Sequence, residues 1–181
     1  IMNSKKSVST INFNSLIGDK KFYPSPVEWE DQIIYFLIVD RFSSGNKENI
    51  EGYNPDKHFN ELKGEELILW EKAGDRWVGG NIKGIISKLD YLKNMEVTCI
   101  WLNPVFKQTV YNQNYHGYGI QNFLEVDPHL GTNNDLKELI QEAHKRDIRV
   151  ILDIVLNHSG DVFGYKTDSS IYNEIFCNYY K

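Results

Sequence analysis

The sequence predicts an α/β fold: the first three βα units of a TIM-type (β/α)8 barrel, with long strand-to-helix loops. Three observations support it. Apolar runs rich in β-branched residues cover residues 33–39, 97–102 and 149–155, the length and composition of strands in a parallel sheet. Between them lie segments with apolar residues at helical spacing, so the order is strand, helix, strand, helix, strand, which a right-handed parallel βαβαβ unit satisfies. Links from helix to strand are short and those from strand to helix are long, with polar residues where the strands end, where α/β barrels place their chemistry.

Taken in order, residues 1–28 are polar, carry Pro24 and Pro26, and read as an extended arm or linker. The first strand, 33–39, runs into Asp40-Arg41-Phe42 and a polar loop reaching Gly80, with a short helix expected at 65–71. A compact domain seldom carries a loop of that length without using it. Asn81 can cap a helix whose apolar face is Ile82, Ile85, Ile86, Leu89 and Leu92. The second strand, 97–102, is stopped by Asn103-Pro104, and a loop follows to Gly131. Thr132 with Asp135 resembles a capping box, opening a helix with the stripe Leu136, Leu139, Ile140 and Ala143. Lys145 and Arg146 suit its negative carboxyl end. The third strand, 149–155, is expected to be buried on both faces, with Asp153 inside it, where an unpaired carboxylate would cost several kcal/mol. Asn157 and His158 emerge beyond it. The corresponding division is an arm at 1–28, the first part of the barrel at 29–158 and the start of an inserted loop domain at 159–181.

Composition narrows the function classes. With 181 residues, 41% apolar and 25% charged, the chain is long enough and apolar enough to bury a core. A net charge of −5 argues against nucleic acid, which calls for a basic face. No apolar run approaches a membrane span. Residues 1–6 lack the apolar stretch of a secretory signal, but an Ile ahead of the Met points to a trimmed end, so extracellular and cytoplasmic bacterial settings both stay open. Cys99 and Cys177 make neither a disulfide framework nor a zinc ribbon; Cys99 reads as a small buried apolar residue. No G-x-G-x-x-G follows the first strand, which weakens a nucleotide-binding reading.

Four segments together resemble the α-amylase family, glycoside hydrolase family 13, in the amino-terminal part of its catalytic domain: residues 34–42, from Ile34-Tyr35 to Asp40-Arg41-Phe42; Gly79-Gly80-Asn81 through Leu92; Tyr115-His116-Gly117-Tyr118; and Asp153 through His158. The resemblance implies that Tyr118 is the platform stacking on the sugar beside the scissile bond, that His116 frames the same subsite, and that His158 hydrogen-bonds its hydroxyls. Asp153 and Arg41 would be structural at the site, Asp153 orienting an arginine on a later strand. Asn157 matches a position that often ligates calcium. A second calcium site, in some relatives, would involve Asn46, Gly79 and Asn81; neutral side chains there leave little charge to hold a cation that wants six to eight oxygens. The Asn157-His158-Ser159 sequon sits at a strand end, which argues against glycosylation.

Retaining hydrolysis needs two carboxyl groups about 5 Å apart. The resemblance places them at the ends of the fourth and fifth strands, and none of Asp40, Asp127, Asp153 or Asp161 matches either. The expectation is therefore an amino-terminal fragment of an α-glucan-active hydrolase or transglycosylase, inactive alone, whose partners are an α-glucan or maltooligosaccharide and the remainder of the barrel. Three βα units leave sheet edges and apolar surface uncovered, so self-association is expected. The competing expectation is a non-catalytic carbohydrate-binding or interaction module derived from the same fold. Starch, cyclodextrins and pullulan are all substrates in the family, and the loop 107–114 should border the sugar without revealing which applies.

Overall fold

The computed structural model describes residues 8–45, 56–110 and 113–162, and the backbone of 165–166 and 171–172. In chain order the strands are β1 (Ile34–Leu37), β2 (Cys99–Leu102), β3 (Phe106–Gln108), β4 (Ile120–Val126), β5 (Arg149–Leu152), β6 (Tyr165–Lys166) and β7 (Ile171–Tyr172). The α-helices are α1 (Phe13–Ile17), α2 (Val39–Phe42), α3 (Glu65–Glu71), α4 (Ile82–Ile86), α5 (Leu89–Asn94) and α6 (Asn133–His144). The helix expected at 65–71 is therefore present. Among the described residues no helix is long and apolar enough to cross a membrane.

β1, β2 and β5 form a parallel sheet in that order, with Phe36 opposite Trp101 and Trp101 opposite Ile151. Side chains alternate across a pleated strand. Tyr35, Leu37, Ile100, Leu102, Val150 and Leu152 therefore share one face; Leu37, Ile100 and Leu102 belong to the core and the other three pack against it. The core is closed by Ile82 and Ile85 of α4, Leu89 and Leu92 of α5, and Leu139 and Ala143 of α6, each fully buried. Thr132 caps α6 by accepting from Asp135 N, and the Asp135 carboxylate accepts in return from Thr132 N at 2.8 Å, so the expected capping box forms. Asn81 caps α4 as expected, its carboxamide oxygen accepting from Gly84 N at 2.8 Å.

Four expectations need correction. The sheet is not buried on both faces: Ile34, Phe36 and Trp101 are 45%, 47% and 40% exposed, because the helices cover one face and on the other the described arm reaches only Arg149, which donates to the Pro24 carbonyl and to Gln32 Oε1. The strands are shorter than the apolar runs, and the third ends at Leu152, leaving Asp153 just beyond the ladder. The single helix expected after Asn81 is two, α4 and α5. Ser87 Oγ donates to the Gly84 carbonyl at 2.7 Å, competing with the helical ladder, and Lys88 leaves helical geometry. The loop 105–131 contains an antiparallel hairpin of β3 and β4, interrupted by register shifts at Lys107. Of the proposed domain boundaries, 159–181 lies mostly outside the described residues; the strand pair β6 and β7 falls within it.

Candidate functional site

The carboxyl ends of β1, β2 and β5 lie side by side by virtue of the parallel register, and the chain leaving each one contributes to a single cluster. Beyond β2, the hairpin of β3 and β4 carries the turn Tyr115-His116-Gly117-Tyr118. Beyond β5, the segment from Asp153 onward runs against that hairpin, with Gly160 N donating to the Ile120 carbonyl at 2.7 Å.

Tyr118 is the centre of the cluster. Its hydroxyl donates to Asp153 Oδ2 at 2.8 Å, and its carbonyl accepts from His158 Nε2 at 3.1 Å. Its ring lies nearly parallel to that of His116, with centroids 5.9 Å apart and planes inclined by 16°. Tyr118 N donates to His116 Nδ1 at 3.0 Å. The three sugar-contacting residues expected from the sequence are thus brought together with Asp153, and Tyr118 keeps 40% of its surface exposed. Burial, then the Asp153 contact, raises the Tyr118 phenol above its ordinary pKa. Burial lowers that of His116, favouring the neutral ring that the acceptor role of Nδ1 requires. His158 Nε2 faces the Tyr118 carbonyl, to which it donates, and its Nδ1 lies 3.2 Å from Asn157 Nδ2. A sugar hydroxyl reaching His158 would replace one of these contacts.

Arg41 makes contacts that the sequence does not disclose. Its guanidinium carbon sits 3.8 Å from the Tyr115 ring centroid, its Nη2 donates to the Arg76 carbonyl at 2.7 Å, and its Nη1 donates to the Ala73 carbonyl. It thus anchors the long loop after β1 against the turn that carries His116. Asp40, 1% exposed, accepts from Val78 N and from Gly79 N at 2.9 Å, which folds the same loop back onto β1. The return is close: a Cβ on Gly80 would lie 2.3 Å from the Val39 carbonyl, so only glycine fits.

Sequence reasoning missed two residues. Asn103, fully buried after β2, accepts from Val39 N at 2.9 Å and donates through Nδ2 to the His116 carbonyl at 2.8 Å. Gln108 donates through Nε2 to the Gly117 carbonyl at 2.9 Å and accepts from Gly119 N at 2.8 Å. Their only sequence signal is a polar residue where a strand ends or a hairpin begins.

Among the described residues the expected calcium ligands form no cage. Asn46 lies outside the described residues, the Asn81 oxygen is the helix cap, and the Gly79 carbonyl, the atom that could ligate a cation, lies 3.5 Å from Asn81 Nδ2. Asn157 is exposed and contacts His158, and among the described residues no three His, Cys, Asp or Glu side chains converge to hold a metal. A separate open cleft of about 100 Å³ lies on the flank of the hairpin, lined by Trp77, Lys107, Gln113 and His129 and by none of the clustered residues.

The family described as alpha amylase, catalytic domain, matches residues 36–180. The beta/alpha-amylase of Paenibacillus polymyxa is 42% identical over 134 residues, 74% of this chain and 10% of that protein. Alpha-amylase 2 of Dictyoglomus thermophilum is 40% identical over 136 residues, 75% of this chain and 20% of that one. Among solved structures, the α-amylase of Geobacillus thermoleovorans complexed with acarbose superposes with a TM-score of 0.54 at 45% identity, covering 73% of this chain and 24% of that one. A γ-cyclodextrin glucanotransferase of an alkalophilic Bacillus clarkii gives a TM-score of 0.60 at 29% identity, covering 76% of this chain and 20% of that one. The chain thus spans a quarter or less of the length of each of these proteins. On the match across 36–180 it belongs to the α-amylase family, in its catalytic domain.

Proposed function

We propose that the chain forms the amino-terminal part of the catalytic barrel of an α-glucan-active glycoside hydrolase or transglycosylase, acting with retention in the longer protein. The observation that carries the reading is the convergence of Tyr118, His116, His158 and Asp153 at the carboxyl ends of neighbouring parallel strands, in a chain 45% identical to a glycosidase solved with acarbose. An exposed aromatic ring beside hydrogen-bonding side chains suits a pyranose, whose flat face is apolar and whose rim is hydroxylated.

In this reading Tyr118 stacks on the sugar next to the bond to be cleaved, His116 frames it and His158 donates to its hydroxyls. Asp153 keeps the phenol oriented. The carboxylates of this part of the chain already have structural duties: Asp40 and Asp127 are buried and accept from main-chain N–H groups, and Asp153 accepts from Tyr118. The nucleophile and acid of a retaining glycosidase, about 5 Å apart, would stand on the further strands where the family resemblance places them, and a covalent glycosyl intermediate would form there. The chain alone is inactive. Its exposed sheet face and edge strands β1 and β5 receive those strands. Asn157 would supply one oxygen to calcium if the inserted domain brings the others; no step depends on that ion.

The test is a chimera in which residues 36–162 replace the matching segment of the Dictyoglomus thermophilum α-amylase. Release of reducing sugar from starch by the chimera, its loss in Tyr118→Ala, and no release by the isolated chain support the proposal. Starch cleavage by the isolated chain, or a chimera that folds and binds maltoheptaose without cleaving it, would overturn it; the latter outcome favours a binding module.

A further inference from the structure

The turn that presents Tyr118 owes little to regular secondary structure. Its inward-facing main-chain groups are taken by two side-chain amides from different places. Asn103, fully buried, donates to the carbonyls of His116 at 2.8 Å and Tyr115 at 3.4 Å, while its oxygen accepts from Val39 N at the end of β1. Gln108, 3% exposed, donates to the carbonyls of Gly117 at 2.9 Å and Phe106 at 2.7 Å, and its oxygen accepts from Gly119 N at 2.8 Å. Its own N–H donates to buried Asp127. Each carboxamide thus donates through both N–H bonds and accepts at its oxygen, which neither a carboxylate nor an aliphatic side chain of similar size can do.

The glycines beside Tyr118 make this approach feasible. A Cβ on Gly117 would lie 2.1 Å from the Pro104 carbonyl and 3.0 Å from Asn103 Nδ2, and one on Gly119 would lie 2.5 Å from Asn114 Nδ2. Tyr118 sits between the two clamped stretches, and Asp153 holds the far end of its ring.

We propose that Asn103 and Gln108 are positioning residues for the Tyr118 platform. They fix the backbone on both sides of it and so set the plane on which a sugar stacks. The inference rests on the saccharide reading of Tyr118. Binding groups must be held within about 0.5 Å of productive geometry, which loops achieve only when a surrounding shell locks them.

The test uses the isotope-labelled chain, with Gln108→Leu and Gln108→Glu. Thr132→Ala serves as control, because it weakens a remote helix cap without touching the turn. In Gln108→Leu the Gly119 amide exchanges with solvent at least about tenfold faster, the Tyr118 ring resonances move, and maltoheptaose binds about tenfold more weakly, the equivalent of one net hydrogen bond. Gln108→Glu keeps the acceptor for Gly119 N and loses the donor for the Gly117 carbonyl, so it recovers Gly119 protection but not affinity. Thr132→Ala lowers the unfolding midpoint and moves neither signal. Unchanged Gly119 exchange and Tyr118 resonances in Gln108→Leu, or the same changes in Thr132→Ala, would overturn the proposal. Should maltoheptaose leave wild-type Tyr118 unperturbed, the saccharide reading falls, and the exchange and ring data still decide whether Gln108 positions the turn.

Discussion

Replacing Gly117 with alanine tests whether the turn bearing Tyr118 is as tightly built as its geometry indicates. Gly117 has a φ of +88°, in the region where an L side chain costs about 1–2 kcal/mol. That cost alone would make it an ordinary turn glycine. Its added Cβ, however, would sit 2.1 Å from the Pro104 carbonyl oxygen, against about 3.3 Å for the closest favourable carbon–oxygen contact, so the backbone must shift by about 1 Å. Such a shift separates the Asn103 and Gln108 amides from the carbonyls they hold, at about 1 kcal/mol for each hydrogen bond. The sum is about 3–4 kcal/mol, a large part of the stability of a small domain. Gly64 separates the two contributions, having a φ of +58° with nothing within 4 Å of an added Cβ. Urea unfolding followed by tryptophan fluorescence should show Gly64→Ala, at φ +58° and ψ −129°, losing about 1–3 kcal/mol and Gly117→Ala losing about 2 kcal/mol more. Equal losses for the two variants would refute the claim that the turn is clamped.

Other expectations follow from the same contacts. Burial lowers the His116 pKa, so the unfolded chain binds the proton more readily than the folded one; stability from this residue is present above about pH 6.5 and declines on acidification below it. His116→Gln should flatten that decline, and an unchanged pH profile would contradict it. Thr132→Ala removes the reciprocal cap of α6 and should cost about 1 kcal/mol in urea unfolding; no loss would show the cap to be idle. Phe36 and Trp101 meet edge to face at 5.1 Å on the uncovered side of the sheet, so the isolated chain should sediment as a concentration-dependent oligomer. Phe36→Ser with Trp101→Gln should move it toward monomer, and a wild-type chain that is monomeric throughout would remove the basis for self-association.

What the sequence disclosed follows the range of each interaction. Helix caps are local, and both Asn81 and the Thr132–Asp135 pair were legible because cap and partner stand three residues apart. The parallel order of strands was legible because alternating apolar periods leave few topologies open. The hairpin of β3 and β4 was not: its strands are separated by a long connection, its register shifts twice, and no short turn signal announces it. The exposed sheet face was equally hidden, since a continuous apolar run records that a strand is to be covered and not whether its cover is present. In the site, Tyr118, His116 and His158 could be named from the family resemblance, and Asp153 also from its place in an apolar run. The mutual contacts among them, the stacking of Arg41 on Tyr115, and the parts played by Asn103 and Gln108 depend on segments that meet only in three dimensions.

Whether Tyr118 is a sugar platform is decided most directly by titrating the isotope-labelled chain with maltoheptaose and following its resonances residue by residue. Saturable shifts centred on Tyr118, His116, His158 and Asp153 are the predicted result. Saturable shifts confined to the flank cleft of Trp77 and His129, with the Tyr118 ring unmoved, would contradict it, as would no saturable shift at all.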